Sequence, residues 1–316
     1  MARRAVADGD APVRVEARQI YILPTSYGLL YGCMLLTMLF GSNNYGSNPG
    51  FLLTFLLAGL GMAALFQTWK NLLGLEVSVQ AGDPVFLGSH GEFSVILSNV
   101  SRESRPGIHV HAASDPAGEG RGDIPPGNNA SIRFTVKPRF RGWLTVERVV
   151  LKTRFPLGLF RAWCYVDTDA AVLVYPKLAE RADGLRHAGE TQLENTLRQS
   201  GDEDFSGHRP YQRGDTAMHI DWKALARGKG WHVKQFDAPG GEELWLDWDA
   251  LSVRDTESRL SAMARGVLEL DHTGRNWGFS IPGTHVAANI GLGHRNHCLR
   301  ALALFDSGRI EHAEDN

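Results

Sequence analysis

From Gln19 to Trp69 the chain carries no Asp, Glu, Lys, Arg or His. Few water-soluble elements tolerate so long an uncharged run, because charged side chains normally solvate the outer face of a helix or strand. Two apolar blocks stand out, Ile20 to Phe40 and Phe51 to Trp69, and each approaches the roughly 20 residues a helix needs to cross a bilayer core. The stretch between them, Gly41 to Gly50, reads as a polar turn rich in Gly and Asn. The expectation is a transmembrane helical hairpin with Tyr21, Tyr27, Tyr45 and Trp69 at the membrane interfaces. Pro24 and Gly28 interrupt the first block, so its strictly apolar part begins near Tyr27. A pair of buried helices in a soluble protein is the competing reading. Arg14, Arg18 and Lys70 flank the hairpin while its connecting loop has neither Lys nor Arg, so the positive-inside rule puts both ends and all that follows in the cytoplasm.

Residues 1–18 are polar and mixed in charge. Arg3 and Arg4 are not followed by the apolar run of a twin-arginine signal, so this part reads as a cytoplasmic tail. A length of 316 residues is ample for further domains with sizeable cores. The net charge of -2 creates no field that attracts nucleic acid, and no basic run tracks a phosphate backbone, so nucleic acid is excluded as a partner. Cys33, Cys164 and Cys298 are odd in number, far apart and in no metal-ligand spacing; they read as buried apolar residues in a reducing compartment.

After residue 70 alternation replaces long apolar runs. Leu75/Val77/Val79, Phe93/Val95/Leu97, Ile108/Val110, Ile132/Phe134/Val136, Leu144/Val146, Val149/Leu151 and Val172/Val174 each put apolar side chains on one face. Separated by Gly, Pro and Asn turns, these strands predict an antiparallel β-sandwich of immunoglobulin-like type over 71–176. His109 and His111 share a strand face and read as solvent-facing, a metal pair there lacking a third ligand. Phe155-Pro-Leu-Gly-Leu-Phe160 reads as a packed turn in which Phe155, Leu157 and Phe160 bury.

Residues 178–200 read as a connector, and the densest crowding of charges, aromatics and turn residues follows, from Glu203 to Asp237. Trp231 to Phe236 alternates like a half-buried strand, and the opposite charges near Tyr211, Trp222 and Phe236 suggest a partly buried ion network. Beyond it, Leu244 to Trp248 is a compact strand ending in acid. Leu260, Met263, Ala264, Val267 and Leu268 repeat at helical spacing, with Asp255 or Thr256 as the cap and Gly274 as the stop. Phe279/Ile281 and Val286 to Ile290 suggest two more strands, and a last helix carries Cys298, Ala301, Leu302 and Phe305 on one stripe. Strand and helix in alternation predict a shortened parallel α/β sheet.

The elements Glu203 and Phe205, Arg209 and Tyr211, Gly214 and Asp215, Ile220-Asp221-Trp222-Lys223-Ala224, and Ala226-Arg227 before a Val-x-x-Phe strand closely resemble the signature of the domain of unknown function 58 family. The resemblance implies a membrane-tethered bacterial protein whose part over 177–316 is von Willebrand factor A-like, working in the inner membrane with a MoxR-type AAA+ ATPase and other membrane or envelope proteins. It implies no known reaction. An intact von Willebrand A domain places a DxSxS cation motif where this chain has Asp247, Asp249 and Leu251. Leucine cannot ligate, and a hard divalent cation needs several oxygen ligands, so Asp247 and Asp249 are the only candidate ligands at a position that reads as degenerate and without cofactor.

The expectation for function is therefore non-enzymatic: a two-pass membrane anchor, a sandwich that spaces the α/β unit from the lipid, and a cytosolic docking surface ordered by Glu203, Arg209, Asp215, Asp221, Lys223 and Arg227, with Tyr211 and Trp222 as anchors or core. The alternative is a metal-dependent hydrolase using Asp202, Asp204, His208, Asp215, His219 and Asp221. The chain has no HExxH, GxSxG or GxxxxGK[ST], and Cys298 beside His297 is its nearest approach to a nucleophile pair, on helix positions that point apart.

Overall fold

The computed structural model describes residues 5–6, 12–180, 205–210, 232–236, 244–251, 253 and 255–306. They fall into two compact units, residues 1–177 with 303–316 and residues 178–302.

In the first unit the strands are β1 (Ala5–Val6), β2 (Val13–Arg14), β3 (Tyr21–Pro24), β4 (Glu76–Ala81), β5 (Val85–Phe86), β6 (Gly91–Ser98), β7 (Arg105–Ala112), β8 (Gly120–Ile124), β9 (Asn129–Val136), β10 (Gly142–Thr145), β11 (Arg148–Thr153), β12 (Phe160–Asp167) and β13 (Ala171–Tyr175). One sheet runs β2-β4-β6-β9, all antiparallel. The other runs β1-β12-β11-β7-β8, with β3 also on β12, and is antiparallel except for the β1 pair. A small third sheet, β10-β13-β5, lies beside them. The predicted alternation is what closes the core. Val77, Phe93, Val95, Leu97, Ile132, Phe134 and Val136 from the first sheet meet Ile108, Val110, Val149 and Leu151 from the second, all buried. Phe93 and Phe134 are direct cross-strand partners with ring centroids 5.5 Å apart, a contact worth about 0.5–1.5 kcal/mol beyond the area it buries.

β12 was not among the predicted strands, for a physical reason. Its inward residues are the small Ala162, Cys164 and Val166, whereas the bulky Trp163 and Tyr165 face outward with Arg161, so the apolar signal sits on the wrong face. The turn after Thr153 is present as expected, but Leu157 is 51 % exposed rather than packed. The histidine expectation also needs correction. His111 is buried, with Nδ1 2.8 Å from Ala112 O, and His109 pairs with Glu119, which Lys152 also engages at 2.8 Å.

Two helices interrupt this unit, α1 (Ser26–Tyr45) and α2 (Asn48–Lys70). The boundaries differ from the apolar blocks at both ends. Tyr21 to Pro24, expected to open the first helix, instead form β3 on β12, with Tyr21 stacked 5.6 Å from Trp163. The polar stretch 41–50 is mostly helical, and the connection shrinks to Gly46, in the left-handed region at φ +56°, and Ser47, whose hydroxyl accepts from Gly50 N. The helices pack antiparallel through small residues: Gly50 meets Ser42, and Gly61 meets Tyr31, whose hydroxyl donates to Leu57 O at 2.6 Å. Among the described residues α2 is the one helix both long and apolar enough to cross a membrane. α1 is 20 residues long but carries Thr37, Ser42, Asn43 and Asn44.

The helix pair is bonded to the sandwich at its base. Thr25 caps α1 and also donates to Gly158 O at 2.6 Å, while Thr68 near the end of α2 donates to Phe155 O at 2.7 Å. Asn71, 1 % exposed, gives both amide hydrogens to the sandwich, to Pro106 O and Thr153 Oγ1 at 2.9 Å each. The Arg105 guanidinium donates to Lys70 O and to Leu73 O, capping the carbonyl end of α2. The Gly28 interruption now has a cause: a Cβ there would sit 2.0 Å from Leu159 O, so α1 comes this close to the turn only with glycine.

The second unit has β14 (Phe205–Pro210), β15 (His232–Phe236), β16 (Leu244–Asp247), α3 (Thr256–Thr273), β17 (Trp277–Ile281), β18 (Thr284–Asn289) and α4 (Leu292–Leu304), the last running two residues past the division between the units. β16 and β17 are parallel with α3 as their crossover, while β18 turns back antiparallel to β17. The sheet is therefore mixed rather than wholly parallel. α3 begins and ends as its sequence demands, with Asp255 accepting from Ser258 N at 2.9 Å and Gly274 at φ +68°. Leu260, Met263, Ala264 and Val267 form its buried stripe. On α4 the buried set is Cys298, Leu299, Leu302 and Ala303, and Phe305 lies beyond the helix end.

Candidate functional site

Of the signature residues, Phe205 and Arg209 lie on β14, while Glu203, Tyr211, Gly214, Asp215, Ile220, Asp221, Trp222, Lys223 and Arg227 lie outside the described residues. So do Asp202, Asp204 and His219 of the hydrolase alternative. The expected Val-x-x-Phe strand is present as β15 and pairs antiparallel with β14. The register sets Phe205 opposite Phe236, His208 opposite Lys234, Arg209 opposite Val233 and Pro210 opposite His232, with an irregularity between Phe205 and Gly207. Phe205 and Arg209 at one end of the signature and the Val-x-x-Phe strand at the other are thus paired in one two-stranded ribbon.

The acidic end of β16 is the second place where chemistry was expected. Asp247 Oδ1 accepts from Asp249 N at 3.3 Å, so this carboxylate is engaged with its own turn. Leu251, at the third position of the cation motif, is 2 % exposed and packs into the core. Trp248 between them is also buried, with the Arg259 guanidinium 5.4 Å from its ring centroid. The turn after β16 is thus packed through Trp248 and Leu251, while Asp249 is exposed. Strand register sets Ser280 beside Asp247 and His285 beside Ser280, a row that the separation along the chain concealed. The His285 ring, however, stacks on Trp245 at 4.8 Å, two residues before Asp247 on the same strand. Among the described residues no three His, Cys, Asp or Glu side chains come together to hold a metal ion.

Sequence reasoning paired Cys298 with the adjacent His297, but the helix brings it to His294, one turn earlier, with Sγ 3.9 Å from Nε2. His294 Nε2 also lies 2.9 Å from Trp277 O, a carbonyl that can only accept, so this nitrogen carries a proton and cannot take one from the thiol. Burial pushes the Cys298 thiol up to about 12, the reverse of what a nucleophile needs. The pair is a packing contact that closes α4 against β17. An i, i+4 search for histidine around Cys298 would have found it.

Residues 207–270 match the family model described as "Protein of unknown function DUF58". Among solved structures, the chain is similar to the crystal structure of a CARDB domain, in complex with di-metal ions, from Pyrococcus furiosus, at 15% sequence identity and a TM-score of 0.20, covering 30% of this chain and 93% of that one. No curated protein matches the chain.

Proposed function

With residues 207–270 belonging to the domain of unknown function 58 family, we propose that this chain is a membrane-anchored, non-catalytic scaffold in the bacterial inner membrane. In this reading α1 and α2 are a two-pass hairpin, the immunoglobulin-like sandwich and the von Willebrand factor A-like unit are cytoplasmic, and the signature is a docking surface. The partner that the family resemblance implies is a MoxR-type AAA+ ATPase acting in envelope assembly or maturation.

The observation that carries the anchor is the surface of the helix pair. Tyr27, Leu29, Leu30, Leu36 and Phe40 on α1 and Leu52, Phe55, Leu56, Met62 and Phe66 on α2 are all more than half exposed, and only 17% of the apolar window of α2 is buried. Water would not tolerate so continuous an apolar surface on a folded protein, whereas lipid would. Two observations support the non-catalytic reading: burial pushes the Cys298 thiol up to about 12, which keeps it protonated, and the turn after Asp247 is packed with leucine and tryptophan.

The test is recovery of partners from native membranes in mild detergent, with wild type compared with Trp222→Ala and Arg209→Ala after each variant is shown to fold. Recovery of an AAA+ ATPase by wild type alone, unaffected by chelator, is the expected result. Stoichiometric divalent metal that is lost in Asp215→Ala would favour the hydrolase instead.

A further inference from the structure

The uncharged run ends at Trp69, and Lys70 is the first charge after it. That point coincides in space with the other end of the pair, because α1 starts and α2 finishes on the same turn of the sandwich. Thr25 reaches Gly158 O and Thr68 reaches Phe155 O, so residues 155–159 lie across both helix termini. If the helices span the bilayer, this turn is at the level of the lipid headgroups, and its composition suits that level. Its tip is Leu157, 51 % exposed, and on the adjoining β3 Leu23 is 52 % exposed. Arg154 and Arg161 bracket the turn, both exposed. The Arg161 guanidinium lies 5.1 Å from the Trp163 ring centroid, a neutral support that leaves its N–H groups free to donate. Around the same base Lys70 Nζ is paired with Glu103, the buried Arg105 guanidinium donates to the Lys70 and Leu73 carbonyls, and Asp123 accepts from Gly107 N, so the headgroup donors on offer at the turn are Arg154 and Arg161.

We infer that this collar is a binding surface for the phosphate groups of anionic phospholipids, with Arg154 and Arg161 as the headgroup donors and Leu23 and Leu157 seated in the interfacial layer. The inference rests on the membrane reading of α2. An apolar tip flanked by cations is what the bilayer edge selects, since leucine gains from leaving water while guanidinium groups pair with phosphate through parallel N–H donors. The consequence is that lipid would hold the sandwich as well as the helices, fixing its angle to the membrane.

The experiment uses the full chain extracted in detergent and titrated with phosphatidylglycerol or phosphatidylcholine, with bound lipid counted by native mass spectrometry. Wild type is expected to prefer phosphatidylglycerol, and Arg154→Gln/Arg161→Gln to lose that preference by roughly 25-fold, about fivefold for each surface arginine. Arg154→Lys/Arg161→Lys keeps the charge and is expected to retain most of it. Equal preference in wild type and the glutamine variant overturns the collar while leaving the anchor intact. Release of the wild-type chain from native membranes by alkaline extraction overturns the anchor itself, and the collar with it.

Discussion

Replacing Asn71 with alanine tests whether the helix pair and the sandwich are one mechanical piece. Asn71 is 1 % exposed, and its amide is the donor to both Pro106 O and Thr153 Oγ1, at 2.9 Å each. The substitution removes two hydrogen bonds, leaves the part-buried Pro106 carbonyl and the buried Thr153 hydroxyl without this donor and opens a small cavity. A net hydrogen bond contributes about 0.5–1.5 kcal/mol and an orphaned buried partner costs about 1–3, so a total loss of about 2–4 kcal/mol is expected. For a unit of this size that lowers the melting temperature by about 6–12 °C. Asn71→Asp should be worse, since it turns an oxygen toward the Pro106 carbonyl and buries a charge. The measurement is thermal unfolding of the full chain in detergent, combined with hydrogen exchange at residues 153–159. Thr153→Val completes a double-mutant cycle, in which direct contact predicts a coupling of about 1 kcal/mol. A change in stability below about 0.5 kcal/mol for Asn71→Ala, or strict additivity in the cycle, would show that the helices hang on the sandwich without being locked to it.

Gly28→Ala sets helix propensity against packing: propensity alone predicts a gain of about 1 kcal/mol, whereas a Cβ placed 2.0 Å from Leu159 O predicts a net loss of about 1–3 kcal/mol and faster exchange at Thr25 N. A stabilised variant would refute the close approach. Cys164 and Cys298 are buried as expected, and burial pushes both thiols up to about 12, so in detergent at pH 8 a water-soluble thiol reagent should reach them only after denaturation, whereas Cys33 is exposed on α1 rather than buried and is covered by detergent in the anchor reading. A fast reaction at Cys298 in the native chain would reopen its pairing with His294 as chemistry. The same shifts set a pH dependence. Below about pH 9 both thiols are neutral folded and unfolded, but from about 9 to 12 only the unfolded chain ionises, so stability falls as pH rises through that window. Denaturant melts at pH 8 and pH 10.5 check the sign, and equal stabilities would contradict it.

Much of the fold was legible because it depends on local periodicity. The strands around Phe93, Val110, Phe134 and Leu151 bury the residues that alternation selected, and α3 starts at Asp255 and stops at Gly274 because capping is chemistry within one turn of chain. The family was legible from motif spacing, and its model covers the signature from Gly207 onward. What failed has a common cause. β12 hid because its large residues face outward, Tyr21 to Pro24 looked like the start of a helix because they are apolar, and the Asp247, Ser280 and His285 row joins residues far apart in sequence.

By itself, then, the sequence determined where apolar surface gathers: a long uncharged run, alternating strands that pair into a sandwich, and a capped helix between two short strands. Only the tertiary structure decided which side chains meet across those elements. It made Thr25, Thr68 and Asn71 into the joint between helices and sheet, Gly28 into a contact point, and His294 into the partner of Cys298. The physical reason is that burial is written in the period of a single segment, whereas a hydrogen bond between distant residues requires both segments to be in place first.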